Sequence, residues 1–345
     1  MIPVFPALRF FNALLIFTHH ANALIDNPYL LALGPSAVSF FLMLSGFVMG
    51  YGYEYKVLAP EFNYKNYWFK RFFRIYPLHL LCLILWIGLK IKSIVSWNLE
   101  DIFGITCNLF LCQSWIPKTS VYFSGNAVSW CLSDLIFFYS IFPFVIKVFR
   151  KKSRMIAFTT VYFIVYVVII PFIPGNYIHA FVYINPCFRF ADFYIGMLLY
   201  KIYKTYKINF EKFNVMGYIL QTLSVAVSCF AIFIYKYVPE CIRFQSLFFV
   251  PNAMTVISFA FFEKTFILKL LCFKVLKWFG EISFTFYMLH GLGMLFINYV
   301  ISHFGLEVDL VYKILLYLSF DLIGSAIVHV IYEKPIARKF QKSNT

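Results

Sequence analysis

Charged residues are scarce in this sequence, and acidic ones are the scarcer kind. Only 13% of the 345 residues are charged, with 15 Asp and Glu against 30 Lys and Arg, whereas 62% are hydrophobic. Soluble domains average about one quarter charged residues. The shortage argues against an ordinary soluble domain and predicts a protein that crosses a membrane several times.

Metal-binding and disulfide patterns are also missing. The eight cysteines are scattered, most of them within apolar runs. No pair combines zinc-ligand spacing with a neighbouring histidine, and no closely spaced pairs form a disulfide framework. We therefore interpret the cysteines as small apolar packing residues and expect no metal.

A basic face suited to nucleic acid is absent as well, despite a net charge of +15. The basic residues lie in short clusters between apolar runs, which is typical of the cytoplasmic loops of membrane proteins. Nucleic-acid binding requires basic residues gathered on one surface and interleaved with aromatic ones. We therefore expect the lipid bilayer, and no nucleic acid, as the partner of these residues.

Long apolar runs, by contrast, are abundant. A membrane-spanning helix needs about 20 mostly apolar residues. Ten stretches qualify, near 4–25, 35–53, 74–92, 128–146, 155–173, 186–203, 214–235, 245–262, 278–300 and 310–331. The sequence therefore predicts an all-α, polytopic bundle of about ten transmembrane helices, formed by a single domain over 1–345.

Basic residues orient these helices, because Lys and Arg accumulate in cytoplasmic loops. The segment between the second and third stretches is basic, and so is the 147–154 cluster, whereas the link between the first two has no Lys or Arg. Both basic segments lie inside only if the short apolar run at 101–113 does not cross. We therefore expect 101–113 to be re-entrant or interfacial on the outer side, with both termini cytoplasmic.

The first predicted helix carries ionisable residues, which are costly in a membrane and are therefore functional candidates. Arg9 and His20 are eleven residues apart, so a helix places them 20° apart on one face, about 16 Å along its axis. His19 points 80° away from Arg9. We expect His20 to act with Arg9 and His19 to be a packing histidine. The alternative for Arg9 is snorkelling to the cytoplasmic headgroups.

A second arginine pair, Arg71 and Arg74, lies at the cytoplasmic start of the third stretch. The two residues are three apart and so share a helix face. Paired guanidinium groups bind phosphates well, which favours an anionic ligand at this mouth. Ordinary anchoring by basic residues explains the pair equally well.

Polar residues also gather near the outer side of the bundle. The 126–134 region offers neutral hydrogen-bonding groups and one carboxylate, Asp134, for which capping of a helix N-terminus is the alternative. His290 lies midway along the 278–300 stretch, where a histidine more often lines a cavity than faces lipid. The residues at issue are Asn126, Ser129, Trp130, Asp134 and His290.

Six motifs together resemble acyltransferase family 3, a family of integral-membrane enzymes that acylate bacterial surface polysaccharides and related carbohydrates. The spacing of Arg9 and His20 matches the family's first-helix motif. Five further stretches of the sequence are similar to other family motifs. These are FFLMLSGFVMG (40–50), RFFRIYP (71–77), NAVSWCLSDLIFFYSIFPF (126–144), GEISFTFYMLH (280–290) and YEKPIARKF (332–340). The sequence departs from the family at two positions. Cys131 stands where the family often has Ser, and Asp134 stands where it usually has Glu.

The resemblance implies an O-acyltransferase, most simply an acetyl-CoA-dependent O-acetyltransferase, in the bacterial inner membrane. The donor is acetyl-CoA or another acyl-CoA from the cytoplasm, and the acceptor is a hydroxyl of a surface polysaccharide or lipid-linked sugar at the outer side. The alternative function is a carrier or flippase for lipid-linked sugars without chemistry of its own.

The resemblance also implies roles for individual residues. His20 acts as general base or as acyl acceptor, and Asp134 orients an imidazole or the sugar. The acyl-CoA is bound by Arg9, Arg71, Arg74 and Tyr76. The acceptor is bound by Asn126, Ser129, Trp130 and His290.

Overall fold

The computed structural model describes residues 2–91, 96–210, 214–262 and 264–342. Within these ranges the secondary structure is helical and contains no strand. We number the helices of nine or more residues along the chain. They are α1 (Phe5–Ile25), α2 (Leu33–Leu58), α3 (Tyr64–Leu89), α4 (Leu99–Leu109), α5 (Trp130–Val148), α6 (Lys152–Ile169), α7 (Pro186–Phe210), α8 (Asn214–Ile234), α9 (Phe249–Phe261), α10 (Lys274–His303), α11 (Leu310–Val328) and α12 (Lys334–Lys342).

The ten predicted apolar stretches coincide with ten of these helices, although the last residue of the 74–92 stretch lies outside the described residues. Seven of the ten are long and apolar enough to cross a membrane, namely α2, α3, α5, α6, α8, α10 and α11. The other three are α1, α7 and α9. The chain is thus an all-α, multi-pass bundle, as predicted. The orientation of the bundle and its assignment to one domain stay predictions.

The short apolar run at 101–113 forms most of α4 and the turn after it. Helix α4 has 11 residues, which corresponds to about 16 Å, or half of a bilayer's hydrocarbon core. The helix starts with a capping box in which Asn98 and Asp101 bond each other's backbone N–H groups. It ends just before Leu111, which adopts the left-handed conformation. Its length fits a segment that does not cross the membrane.

Helices α2 and α7 run side by side in the same direction and pack closely through glycine. A Cβ atom on Gly46 would overlap the carbonyl oxygen of Phe193, and one on Gly196 would overlap that of Met43. Membrane helices approach closely where small residues face each other. This contact explains the glycine of the FFLMLSGF stretch by packing.

Helices α1 and α10 also run parallel, and this pairing positions the candidate site. Near one end, Arg9 Nη2 donates to the carbonyl oxygen of Gly280 at 3.3 Å. About ten residues further along both helices, His20 meets His290. Parallel packing requires that α1 and α10 cross the membrane in the same direction, as the predicted orientation has it. We call the Arg9 end of the bundle the inner end.

Candidate active site

Two histidines on α1 and α10 form a hydrogen-bonded pair. The Nε2 atom of His290 lies 3.0 Å from Nδ1 of His20. Nδ1 of His290 is 2.7 Å from the carbonyl oxygen of Tyr287, and Nδ1 of His20 is 2.9 Å from that of Ile16. His290 is completely buried, whereas His20 is exposed.

These contacts fix the tautomers of the neutral pair. A carbonyl oxygen only accepts, so both Nδ1 atoms carry a proton. His290 Nε2 is then an acceptor and receives part of the His20 Nδ1–H bond. The Nε2 atom of His20 keeps a free lone pair, which is the arrangement that a general base needs.

A cavity of about 420 Å³ extends from the inner end of the bundle toward this pair. Its inner part contains three arginines, Arg9, Arg71 and Arg74. Its wall also includes Ile16 and Tyr287, the residues whose carbonyl oxygens bind the two histidines. The cavity therefore extends from a cationic mouth to two residues that hold the histidine pair.

The three arginines differ in how they are held. Arg71 donates to the Tyr53 hydroxyl at 2.5 Å, and its guanidinium lies 4.4 Å from the centre of the Tyr53 ring. Arg9 is half-buried on Gly280. Arg74 is exposed, so its guanidinium is free to meet a ligand. Tyr76, by contrast, is outside the cavity lining and stacks on Phe72 at 4.4 Å.

An acidic group that the sequence did not single out lies near these arginines. Glu333 Oε2 accepts from Thr285 Oγ1 at 2.5 Å and pairs with His329 Nδ1 at 2.7 Å. Its negative charge acts on Arg9. Residues His329–Glu333 form a π-helical turn, a distortion that is frequent at functional sites. The closing YEKP motif was the available signal, because its Glu333 follows a histidine by four residues.

Asn126, Ser129 and Trp130 are buried and engaged with protein partners. Asn126 Nδ2 donates to the carbonyl oxygen of Met288 at 2.8 Å. Ser129 Oγ donates to the carbonyl oxygen of Asn126 at 2.7 Å. The Trp130 ring lies 5.1 Å from that of Tyr183. Asn126 thus fastens the segment before α5 to α10 beside His290, and none of the three residues lines the cavity.

Asp134 is buried in a different polar cluster from the histidine pair. Ser114 lies beside it, and the charges of Arg189 and Asp192 act on it. Arg189 Nη1 is 3.2 Å from Asp192 Oδ2, with both side chains completely buried. Asp192 also accepts from Ser39 at 2.5 Å and from Gln245 at 2.8 Å. The structure thus brings His20 and His290 together and places Asp134 with Arg189.

A second pocket, of about 250 Å³, opens beyond the histidine pair, and we call it the outer pocket. His19 lines it, with its ring 5.1 Å from that of His20. The packing role of His19 stays a prediction, and its Nδ1 lies 3.4 Å from the carbonyl oxygen of Leu30. The other lining residues are Pro28, Leu31, Pro35, His179, Tyr183, Tyr235, Lys236, Arg243 and Phe244.

Comparison with known proteins adds the chemistry. Residues 5–330 match a family described as an acyltransferase domain. A relative from Streptomyces mycarofaciens, the acyltransferase MdmB, is 27% identical over 317 residues, which cover 84% of this chain and 78% of the relative. No solved structure matches the chain significantly.

Proposed function

Because this chain belongs to the acyltransferase family that its residues 5–330 match, we propose a specific reaction for it. The protein moves an acyl group, most simply acetyl, from acyl-CoA to a sugar hydroxyl on a surface polysaccharide or lipid-linked sugar. The donor enters from the inner end and the acceptor from the outer end. The membrane is the bacterial inner membrane, with the inner end cytoplasmic.

The arginines support an acyl-CoA donor. Coenzyme A carries a pyrophosphate and a 3′-phosphate, and guanidinium groups bind phosphate oxygens through short, charge-assisted hydrogen bonds. Arg71 and Arg74 meet the phosphates at the mouth. The cavity has room for the pantetheine arm, and the helical separation of Arg9 and His20, about 16 Å, suits that arm in an extended form.

The observation that carries the proposal is the contact between His20 and His290. His20 Nε2 removes the proton of the acceptor hydroxyl as its oxygen attacks the thioester carbonyl. The new C–O ester bond forms, the C–S bond breaks, and the thiolate leaves with the proton held by His20. His290 accepts the His20 Nδ1–H bond throughout, which stabilises the imidazolium that forms in between.

A transfer assay tests this proposal. Purified protein in liposomes receives acetyl-CoA labelled in the acetyl group, together with a lipid-linked glycan. We expect label on the glycan, and we expect His20→Ala to abolish transfer without loss of folding. Label that stays on the protein before reaching the glycan supports acyl-histidine as the intermediate. Movement of the glycan across the bilayer without any labelling would instead establish a carrier.

A further inference from the structure

The outer pocket contains two cations at the end of the bundle where basic residues are least expected. Lys236 and Arg243 both line it. Outer loops of membrane proteins are poor in Lys and Arg because these residues hinder translocation. Two of them in one short loop, both facing one pocket, therefore indicate a function that needs positive charge.

Aromatic rings hold the two cations, and one acid opposes them. Lys236 Nζ lies 4.7 Å from the centre of the Tyr29 ring, and no ion pair joins it to a carboxylate in the described part of the chain. The Arg243 guanidinium lies 5.5 Å from the Tyr235 ring and pairs with Glu240. Two positive charges against one leave the rim net positive, which favours an anionic ligand.

The remaining lining suits a sugar ring. Tyr183, Tyr235 and Phe244 offer flat apolar surfaces, against which the C–H faces of a pyranose pack. The volume of about 250 Å³ is slightly below the range of about 300–1,000 Å³ for drug-sized ligands, which matches a single sugar unit. Ring platforms combined with cations indicate a sugar that carries a negative charge.

The pocket also lies next to the histidine pair. His19 is part of its wall, and its ring stands edge-on to that of His20 at 5.1 Å. A sugar unit held in this pocket lies against the wall formed by His19, whose ring contacts that of His20. This relationship links the pocket to the acceptor side of the reaction.

From these observations we propose that the outer pocket binds an anionic sugar unit of the acceptor, one that bears a phosphate or a carboxylate. The placement of this sugar as the acceptor rests on the proposed function. Lys236 and Arg243 bind the charged group, and the aromatic rings hold the sugar. A neutral sugar makes only the contacts with the aromatic rings.

Equilibrium binding without acyl-CoA tests the inference. Full-length protein in detergent is titrated calorimetrically with glucose 1-phosphate, glucuronic acid and glucose. We expect at least one anionic sugar to bind about tenfold or more tighter than glucose, with an advantage that shrinks as salt is added. If glucose 1-phosphate binds more tightly than glucuronic acid, the pocket recognises a phosphate, and if glucuronic acid binds more tightly, it recognises a carboxylate. Equal affinity for all three sugars overturns the inference.

Variants test the two cations directly. The double variant Lys236→Gln, Arg243→Gln should lower the affinity for the anionic sugar to that for glucose. The affinity for glucose itself should stay unchanged. Lys236→Arg combined with Arg243→Lys keeps both charges and should keep the preference. The matched control is Lys118→Gln, which removes an exposed lysine paired with Glu100 outside the pocket. A preference that survives the Gln substitutions overturns the inference.

The proposed function and this inference fail in different ways. If label reaches a glycan from acetyl-CoA but the sugars are not discriminated, the outer pocket is not an anion site and the transferase assignment stands. If the anionic sugars are discriminated but no label is transferred, the pocket stands and the transferase assignment falls.

Discussion

The Nε2 atom of His290 lies 3.0 Å from the Nδ1 atom of His20, although the two residues are 270 positions apart in the chain. The carbonyl oxygens of Tyr287 and Ile16 orient the two rings, so that His20 Nε2 keeps the free lone pair. The wall of the arginine cavity includes both of these carbonyl-bearing residues. The pair therefore lies next to residues of the arginine cavity and, through His19, next to the outer pocket.

Removing either histidine should slow transfer, to different degrees. His20→Ala removes the base, and we expect the rate to fall by about 10²–10⁴-fold or more. His290→Ala leaves His20 in place but frees it to adopt the other tautomer, and we expect a smaller loss, with a changed pH profile of the rate. The measurement is the rate of label transfer from acetyl-CoA.

The matched control is His303→Ala, which removes a histidine from the far end of α10, outside both pockets. It should transfer at the wild-type rate. An active His20→Ala protein would contradict the assignment of the base. Coenzyme A affinity should be unchanged in all three variants, because none of them alters the arginine mouth.

The arginines should govern donor affinity. Arg71→Ala and Arg74→Ala each remove charge-assisted hydrogen bonds worth about 1.5–3 kcal/mol, so the Kd for coenzyme A should rise about 10- to 100-fold. Tyr53→Phe removes only the hydroxyl that accepts a hydrogen bond from Arg71, so its effect on the Kd should be smaller. Calorimetric titration measures the Kd. The control is Arg154→Ala, which removes an exposed arginine outside the cavity. Equal Kd values in all of these proteins would leave membrane anchoring as the role of Arg71 and Arg74.

The glycine contact between α2 and α7 should control stability. Gly46→Ala forces a Cβ atom against the backbone of Phe193, so the helices must separate. We expect the free energy of unfolding to fall by about 1–3 kcal/mol or more, seen as a lower Tm in detergent. Gly324→Ala is the control, because its Cβ meets nothing within 4 Å. It should be neutral or stabilising, since alanine favours a helix. A wild-type Tm for Gly46→Ala would contradict the close packing.

The outer pocket should bind anions more tightly in acid. His179 lines this pocket between the α6 and α7 spans, and burial holds its pKa below the ordinary 6.5. The imidazole is therefore neutral at pH 7, and its protonation adds a positive charge to the pocket. Affinity for an anion should rise as the pH falls through this lowered pKa, below 6.5. The probe is glucose 6-sulfate, because its charge stays constant over this range.

Other titratable groups face the same pocket, so variants separate their effects. His179→Gln should abolish the increase, whereas Glu240→Gln and His19→Gln should preserve it. The titration is kept between pH 7.5 and 5, because Lys236 and the lining tyrosines Tyr183 and Tyr235 lose their protons only at higher pH. If the anion affinity of the His179→Gln protein still rises in acid as in the wild type, another group causes the increase.

Helical periodicity explains why part of the site was predictable. Residues on one helix keep a fixed angular relation, so the sequence alone placed Arg9 with His20 on one face, and Arg71 with Arg74. Both arginine sites line the same cavity. Apolar run length likewise predicted ten helices, because a bilayer of given thickness demands a minimum span.

Contacts between distant segments could not be read in the same way. The pairing of His20 with His290 depends on which helices are neighbours, and periodicity within a helix carries no such information. The buried Arg189–Asp192 pair was missed although the two residues are three apart on one helix, because periodicity within that helix does not show that the pair is buried. The hydropathy of a stretch does not show which of its charges pair, whereas in the structure these two contact or act on Ser39, Gln245 and Asp134. Asn126 and Ser129 bond backbone carbonyl oxygens in the structure, and their role in binding the acceptor stays a prediction.

The distance in sequence between α1 and α10 has a consequence for synthesis. Helix α1 is made before α10, because α2 to α9 lie between them in the chain, so its polar side chains at first lack this partner helix. Until then the nascent chain contains His20 without its hydrogen-bond partner His290. Under the proposed function, a nascent chain that has not yet formed α10 lacks the histidine pair, so full activity begins only once α10 has packed against α1.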